Sequence, residues 1–185
     1  MIYKNIEQVF EKEKEVFNNL KKSLSGISTE QVEFRDSSQK WNIRQIVEHL
    51  ALVEEQLVQL ITQLLEKTES KGNHIKLNDT PISLESIINL IKNKKFVTKE
   101  QFEPVSNESL SNSINRLEKV HKQLNELNSR LKSVNLSERS FPHWIFGKLN
   151  LGQWIAFLVH HEQVHLNQID LLTLHKDSET RGSIL

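Results

Sequence analysis

The sequence predicts an all-α protein that folds as a single four-helix bundle. Four long segments of the chain carry apolar residues at the 3.6-residue period of an α-helix. Five glycines and three prolines among 185 residues are few, and this scarcity favours long helices over many short strands. The absence of cysteine excludes disulfides, a thiolate nucleophile and a cysteine-based zinc site. A chain of this length is expected to form one domain with a sizeable core.

The first two helices are predicted from their apolar stripes and end signals. The first runs from about Ile2 to Leu24 and is expected to end at Ser25-Gly26, where glycine can take the left-handed conformation. The second runs from Asn42 to about Lys67. Its inward-facing side chains are Ile46, Val53, Leu57, Leu60, Ile61 and Leu64.

The third and fourth helices follow a long connection. The third is predicted over about Ser106–Leu131, and the fourth runs from Asn150 to about His175. Residues 68–105 connect helices two and three, and Ser83 could cap a short helix there that ends near Leu90. So long a connection allows helices two and three to run parallel. Residues 133–149 are predicted to be a second linker.

Charge and hydropathy limit the classes of partner. Formal net charge is zero, which argues against a nucleic-acid or anionic-membrane surface. The run Lys92–Lys95 is short and is interpreted as a solvated face. The start of the chain lacks the apolar run of a signal peptide, and no stretch is long enough to span a bilayer, so a cytoplasmic protein is expected. Residues 1–175 are expected to form the domain, and residues 176–185 a polar, frayed tail.

Two histidines, His161 and His165, lie one helical turn apart in the apolar stripe of the fourth helix. Residues four apart share a helix face, close enough for two imidazoles to bind one metal ion. The pair alone is weak evidence, because such histidines are more often solvated or hydrogen-bonded. A catalytic zinc-like site usually has three protein ligands, so a third must come from another helix.

His49 is the candidate third ligand. Helices two and four begin alike, with Asn42 and Asn150 as caps that are each followed three residues later by a glutamine able to reach back. His49 lies seven residues after its cap, and His161 and His165 lie eleven and fifteen residues after theirs. These steps return to one helix face, so three histidines are expected to face the core. Each could still be a structural histidine with its own hydrogen-bond partner.

Other polar residues near these positions have competing interpretations. Glu48 and Glu162 adjoin candidate ligands, but a neighbouring residue projects about 100° away around the helix, so solvated carboxylates are expected. Gln45 and Gln168 lie one turn from two of the histidines and could either orient them or serve as cap and core-edge amides. His121 is expected at the edge of a stripe with a wet tip.

Two blocks of sequence resemble the DinB/YfiT-like family. Residues 41–50 read WNIRQIVEHL and are similar to the family's W-[ST]-x-x-Q-x-x-x-H-L helix start. Residues 146–154 and 161–169 look like its last-helix pattern, F-G-x-L followed by H-x-x-x-H-x-x-Q-I. The likeness extends over essentially the whole chain in length and order. Where the family often has His-Pro before the glycine, this chain has His143 followed by Trp144, so His143 is left out of the site as a loop histidine.

The resemblance implies an up-down-down-up bundle that holds a divalent metal ion, often nickel or zinc, on His49, His161 and His165. Characterised relatives include transferases and isomerases that use low-molecular-weight thiols such as bacillithiol or mycothiol. The resemblance therefore implies a metal-dependent enzyme that activates a small thiol or a metal-bound water, and a homodimer is expected. Its catalytic residues are unassigned. The alternative is a non-catalytic metal-binding or regulatory bundle of the same family.

Overall fold

The computed structural model describes residues 1–36, 39–70, 81–91, 98–105 and 107–182, and this part of the chain is mostly helical. The helices are α1 (Ile6–Leu24), α2 (Thr29–Glu33), α3 (Ile43–Glu69), α4 (Glu85–Ile91), α5 (Leu110–Glu126), α6 (Asn128–Lys132) and α7 (Leu151–Gly182). A short 3-10 helix covers Glu100–Phe102. Two small antiparallel sheets pair β1 (Ile2–Tyr3) with β2 (Ile82–Ser83), and β3 (Ser140–His143) with β4 (Gly147–Asn150).

The predicted capping boxes are confirmed at the starts of α3 and α7. Asn42 Oδ1 accepts a hydrogen bond from the Gln45 amide at 2.9 Å, and Gln45 Oε1 accepts one from the Asn42 amide at 3.2 Å. Asn150 and Gln153 form the same reciprocal pair, at 2.9 Å and 3.0 Å. The helices that carry the histidines therefore begin where the sequence predicts.

The end of α1 and the start of α4 also agree with the prediction. α1 ends at Leu24, and Gly26 takes a φ of 78°, the left-handed conformation that glycine favours. Ser83 Oγ accepts a hydrogen bond from the backbone N–H of Glu85, the first residue of α4, at 3.3 Å. The end expected for the third helix differs, because the segment divides at Leu127 into α5 and α6.

Two termini differ from the prediction. α1 begins at Ile6 and not at Ile2, because Asn5 caps it and the residues before that cap pair with β2. α7 continues to Gly182, past the predicted end near His175, so residues 176–182 of the predicted tail are helical. No glycine or proline occurs between Gly152 and Gly182, and the sequence there has no residue that must stop a helix.

The predicted linker at residues 133–149 contains a β-hairpin. Ser140 lies opposite Asn150, and His143 lies opposite Gly147, whose φ of 73° suits the turn. The start expected for the third helix, at about Ser106, was wrong, because Ser109 caps α5 and the helix begins at Leu110. The Lys92–Lys95 run lies outside the described residues.

The main helix contacts place α3 at the centre of the molecule. α3 contacts both α5 and α7, and α1 packs along α7. The core between them is apolar, and fully buried examples are Ile6, Leu20, Ile46, Leu50, Ile61, Leu65, Leu117 and Leu124. Among the described helices, none combines the length and the apolar composition needed to cross a membrane. Since α7 has neighbours on more than one side, it can bury more than one face.

Candidate metal centre

The structure brings the three predicted histidines together. His49 comes from α3, whereas His161 and His165 come from successive turns of α7. The ring centroids lie 5.3 Å apart for His49 and His161, 4.9 Å for His49 and His165, and 4.6 Å for the α7 pair. One ring nitrogen from each lies within 4.8 Å of the others, so the group could hold a metal ion. We call these three residues the histidine cluster.

Hydrogen bonds orient two of the three imidazoles. His49 Nδ1 lies 2.8 Å from the carbonyl oxygen of Phe102, and His165 Nδ1 lies 3.0 Å from Gln168 Oε1. Both partners are acceptors, so each Nδ1 carries the proton and each Nε2 keeps a free lone pair. Metal-binding histidines are commonly held by such a bond at the other ring nitrogen.

His161 completes the cluster in a different way. Its Nδ1 is buried and has no hydrogen-bond partner among the described residues. A buried nitrogen without a partner is costly, and an ion or a bound molecule would relieve that cost. His161 and His165 are each partly exposed, whereas His49 is buried. The donor set of three imidazoles therefore fits a divalent ion of intermediate softness such as Zn²⁺ or Ni²⁺.

The electrostatic setting keeps all three rings neutral. Burial lowers the pKa of His165 to about 4, and proximity to His49 acts in the same direction. Burial, followed by the neighbouring His165 and His49, holds the pKa of His161 well below its ordinary value. Burial also lowers the pKa of His49, against the opposing effect of its hydrogen bond to Phe102. Neutral imidazoles can donate lone pairs to a metal at neutral pH.

Aromatic side chains surround part of the cluster. The Trp41 ring lies 4.7 Å from that of His49, and the Phe157 ring lies 5.8 Å from that of His161. Trp154 is buried in the core, but Trp144 is 52% exposed on the hairpin turn, where Lys99 Nζ lies 5.2 Å from its ring. Apolar walls exclude water from one side of a site and strengthen its electrostatic interactions.

Two residues near the cluster have roles that the sequence left open, and a third, His143, was expected to lie outside the site. Gln168 orients His165 through the hydrogen bond described above. Gln45 instead caps α3 and accepts a hydrogen bond from Arg35 at 2.8 Å. His143 lies at the end of β3 with its ring against Phe146, at a centroid distance of 4.3 Å, and is not a member of the cluster.

Three expectations about buried polar residues were wrong. Glu162 and Glu48 were expected to be solvated, but they are 0% and 1% exposed. His121 was expected to have a wet tip, but it is 3% exposed. The physical reason is that α3 and α7 each contact several elements and bury residues about 100° from the histidine face, and that His121 of α5 contacts Glu13 of α1.

Glu162 and His121 belong to a second buried polar group that the sequence reasoning missed. Its other members are Glu13 of α1 and Glu54 of α3, which are 1% and 0% exposed. Burial opposes a proton on His121, but Glu13, Glu162 and Glu54 outweigh it and raise the pKa of His121 to about 12. A signal was present in the sequence, because Glu13 interrupts the apolar stripe of α1.

The protein is thus mostly helical and gathers three histidines from two helices into a group that could hold a metal ion. Residues 14–169 match the DinB superfamily, so the chain belongs to this superfamily, as its residues suggested. It is also similar to the uncharacterized protein YuaE of Bacillus subtilis (strain 168). The two are 29% identical over 148 residues, which cover 79% of this chain and 85% of that relative.

Proposed function

We propose that this protein holds a divalent metal ion on His49, His161 and His165, and that it transfers a low-molecular-weight thiol to an electrophilic small molecule. The observation that carries the proposal is the convergence of three neutral imidazoles from two helices within 4.8 Å. Membership of the DinB superfamily supports it. Three imidazole donors favour nickel or zinc.

The residues that surround the histidine cluster have definable tasks in this proposal. Phe102 and Gln168 hold protons on Nδ1 of His49 and His165, which leaves Nε2 of each ring to bind. Trp41 and Phe157 exclude water from one side. When bound, a divalent ion acts as a Lewis acid that favours the ionised form of a thiol or of water.

The proposed reaction balances without an oxidant or a reductant. The thiol gives up its proton, its sulfur forms a bond to the electrophilic carbon, and the leaving group departs from that carbon with the bonding electron pair. Because no electrons are gained or lost overall, a redox-inert ion such as Zn²⁺ suffices. Hydrolysis by an activated water would follow the same balance, with water in place of the thiol.

The proposal includes a particular architecture and setting. The contacts of α3 with α5 and α7, and of α1 with α7, support a four-helix bundle, and the order we propose for it is up-down-down-up. A cytoplasmic location and a homodimer complete the proposal. Light scattering coupled to size-exclusion chromatography measures the oligomeric state directly.

Metal analysis tests the first half of the proposal. We expect the purified protein, after incubation with Ni²⁺ or Zn²⁺ and desalting, to retain metal that His161→Ala and His49→Ala each lose. His175→Ala is the matched control, because His175 is an exposed histidine of the same helix that contacts Asp36. Equal metal retention in His161→Ala and the control would contradict the proposed ligands.

A thiol screen tests the second half. Metal-loaded protein is incubated with bacillithiol, mycothiol, glutathione or coenzyme A and a chromogenic electrophile such as chlorodinitrobenzene. We expect turnover with at least one thiol that is lost in His161→Ala and kept in His175→Ala. Stoichiometric metal without turnover for any thiol would refute the transferase and favour a non-catalytic metal-binding protein.

A further inference from the structure

Each of the four long helices contributes one buried polar residue to a single cluster. Glu13 lies on α1, Glu54 on α3, His121 on α5 and Glu162 on α7, and none is more than 3% exposed. We call this the carboxylate cluster. It is distinct from the histidine cluster, since it shares no residue with it and includes side chains from α1 and α5.

The His121 ring is held in a fixed orientation. Its Nδ1 contacts Glu13 Oε1, and the ring stacks on Phe17 with centroids 3.6 Å apart and an angle of 11° between the planes. The contact with Glu13 fixes Nδ1, and the stacking on Phe17 fixes the plane of the ring. Together they fix the direction in which Nε2 points. A carboxylate bonded to the far nitrogen of an imidazole is the usual support of a metal-binding histidine.

The other ring nitrogen of His121, Nε2, faces two carboxylates, and a cation bound there would displace the proton of Nε2. Nε2 lies 3.3 Å from Glu54 Oε2 and 3.4 Å from Glu162 Oε1. An ordinary N–H···O hydrogen bond is shorter, about 2.9 Å. The two Nε2–carboxylate distances are longer than that, and the three ligand atoms all lie within 4.8 Å of one another, a spacing that could hold a metal ion.

The carboxylate oxygens lack other partners. Within the part of the chain that the structure describes, neither oxygen of Glu54 or of Glu162 has a hydrogen-bond partner, nor has His121 Nε2. Both carboxylates are completely buried. Buried charged groups are strongly unfavourable unless they are paired or coordinate a metal. Glu54 Oε2, Glu162 Oε1 and His121 Nε2 face one another without a hydrogen bond, and a cation among them would compensate the two buried carboxylates.

We propose that Glu54, His121 and Glu162 form a second divalent-cation site, and that Glu13 positions His121 for it. Two carboxylates and one imidazole make a harder donor set than three imidazoles. The carboxylate cluster therefore suits ions such as Mn²⁺ or Fe²⁺, whereas the histidine cluster suits Ni²⁺ or Zn²⁺. The two clusters lie close along the bundle, because Glu162 follows His161 directly and Glu54 is five residues from His49.

The test uses Mn²⁺ as the probe in a protein whose histidine cluster is disabled. In the His161→Ala background, we expect added Mn²⁺ to lose its free-ion electron paramagnetic resonance signal as it binds. Glu54→Gln in the same background should abolish this binding, because it removes a charged ligand. Glu48→Gln is the matched control, since Glu48 is equally buried on α3 but lies outside the carboxylate cluster.

The Mn²⁺ affinity of a Glu13→Gln variant tests whether Glu13 positions His121, because a purely structural role would not weaken the affinity in a folded protein. Glu13→Gln should keep Mn²⁺ binding but weaken it by about 10- to 100-fold, the usual effect of losing a carboxylate that supports a histidine ligand. Circular dichroism verifies the fold of each variant, and the series is repeated in the His49→Ala background. Absence of Mn²⁺ binding in both backgrounds, or binding that survives Glu54→Gln, would overturn the proposal whatever the histidine cluster does.

Discussion

At the scale of single residues, His165 differs from His49 in how its ring is oriented. A side chain, that of Gln168, orients His165, whereas a backbone carbonyl orients His49. Gln168 Oε1 accepts the Nδ1 proton of His165 at 3.0 Å, and Gln168 Nε2 in turn donates to Gln39 Oε1 at 2.8 Å. The second bond fixes which end of the Gln168 amide faces the ring. The imidazole therefore has one tautomer and one orientation before any ion arrives, which lowers the cost of binding.

We predict that Gln168→Ala weakens binding of Ni²⁺ or Zn²⁺ by about 10- to 100-fold without abolishing it. The reason is that His165 keeps its Nε2 but loses its orienting partner. Competition against a chromogenic chelator measures the change. Gln163→Ala is the control, because Gln163 lies on the same helix and bonds only to Asn167, at 3.0 Å, among the hydrogen bonds described. Identical affinities for the two variants would contradict the prediction.

His143 offers a pH-dependent contribution to stability. Its Nδ1 accepts hydrogen bonds from the backbone N–H groups of Ile145 at 3.1 Å and Phe146 at 3.4 Å. Burial, with a smaller contribution from Lys99, lowers the pKa of His143 from its ordinary 6.5 to about 4. The folded state thus binds fewer protons than the unfolded state between these pH values, so stability falls as the pH falls through this window.

We predict that His143→Asn flattens this pH dependence. Asparagine Oδ1 can accept a hydrogen bond from the turn and does not titrate. Urea unfolding at several pH values between 7 and 4 gives the free energy of unfolding of each protein. As the pH falls, the free energy of unfolding should decrease more for the wild type than for the variant. A difference that stays constant with pH would show that His143 keeps its ordinary pKa.

Residue spacing from the helix caps predicted the histidine cluster but not the carboxylate cluster. His49, His161 and His165 follow a capped helix start, so their faces could be counted from the sequence. The burial of Glu162 could not be predicted in this way, because it depends on a second neighbour of α7. The sequence does not state how many neighbours a helix has. A carboxylate within an apolar stripe, such as Glu13 in α1, indicates a buried polar group.

At the scale of elements, the capping box of α3 sets the register of His49. Asn42 is 6% exposed, and besides capping α3 it donates from Nδ2 to Glu33 Oε2 at 2.8 Å. This bond also ties the start of α3 to α2. The cap therefore fixes both the first turn of α3 and the approach of a neighbouring element.

We predict that Asn42→Ala lowers the free energy of unfolding by about 1 kcal/mol, the usual cost of a lost N-cap. Asn42→Ser keeps an oxygen that can cap the helix and should cost less. Urea denaturation monitored by circular dichroism gives both values. Equal losses for the two variants would assign the effect of Asn42 to its bond with Glu33 and not to the cap.

The long elements were predictable, whereas among the short ones only α4 was predicted, from its cap at Ser83. The four long helices carry many turns of apolar period, and their caps mark where they begin. β3 and β4 have four residues each, and the residues 140–150 that contain them include Pro142 and Gly147, which also suit a loop. The five-residue α2 is recognisable mainly by its Ser28 capping box. Periodicity in so few residues does not separate strand, helix and loop.

At the scale of the whole molecule, the registers between helices decide which residues meet. The carboxylate cluster requires α1, α3, α5 and α7 to place one polar side chain each at the same height. The sequence defines the faces of each helix, but relative heights follow from the packing of the whole core. This explains why the chain's superfamily was predictable from its motifs, whereas a cluster with one member per helix was not.

A bound ion on the histidine cluster should stabilise the whole fold. Its ligands lie on α3 and α7, which contact each other and between them contact α1 and α5, so unfolding must separate the ligands. An ion that binds only the folded state adds about 2.7 kcal/mol at a free concentration of 100 times its Kd. The test uses the Glu54→Gln protein, in which only the histidine cluster is intact, after a chelator has removed any bound metal. We predict that added Zn²⁺ or Ni²⁺ raises the melting temperature of this protein. The rise should disappear on adding His49→Ala and persist on adding His175→Ala, as measured by differential scanning calorimetry; a rise that survives His49→Ala would mean that the ion binds elsewhere.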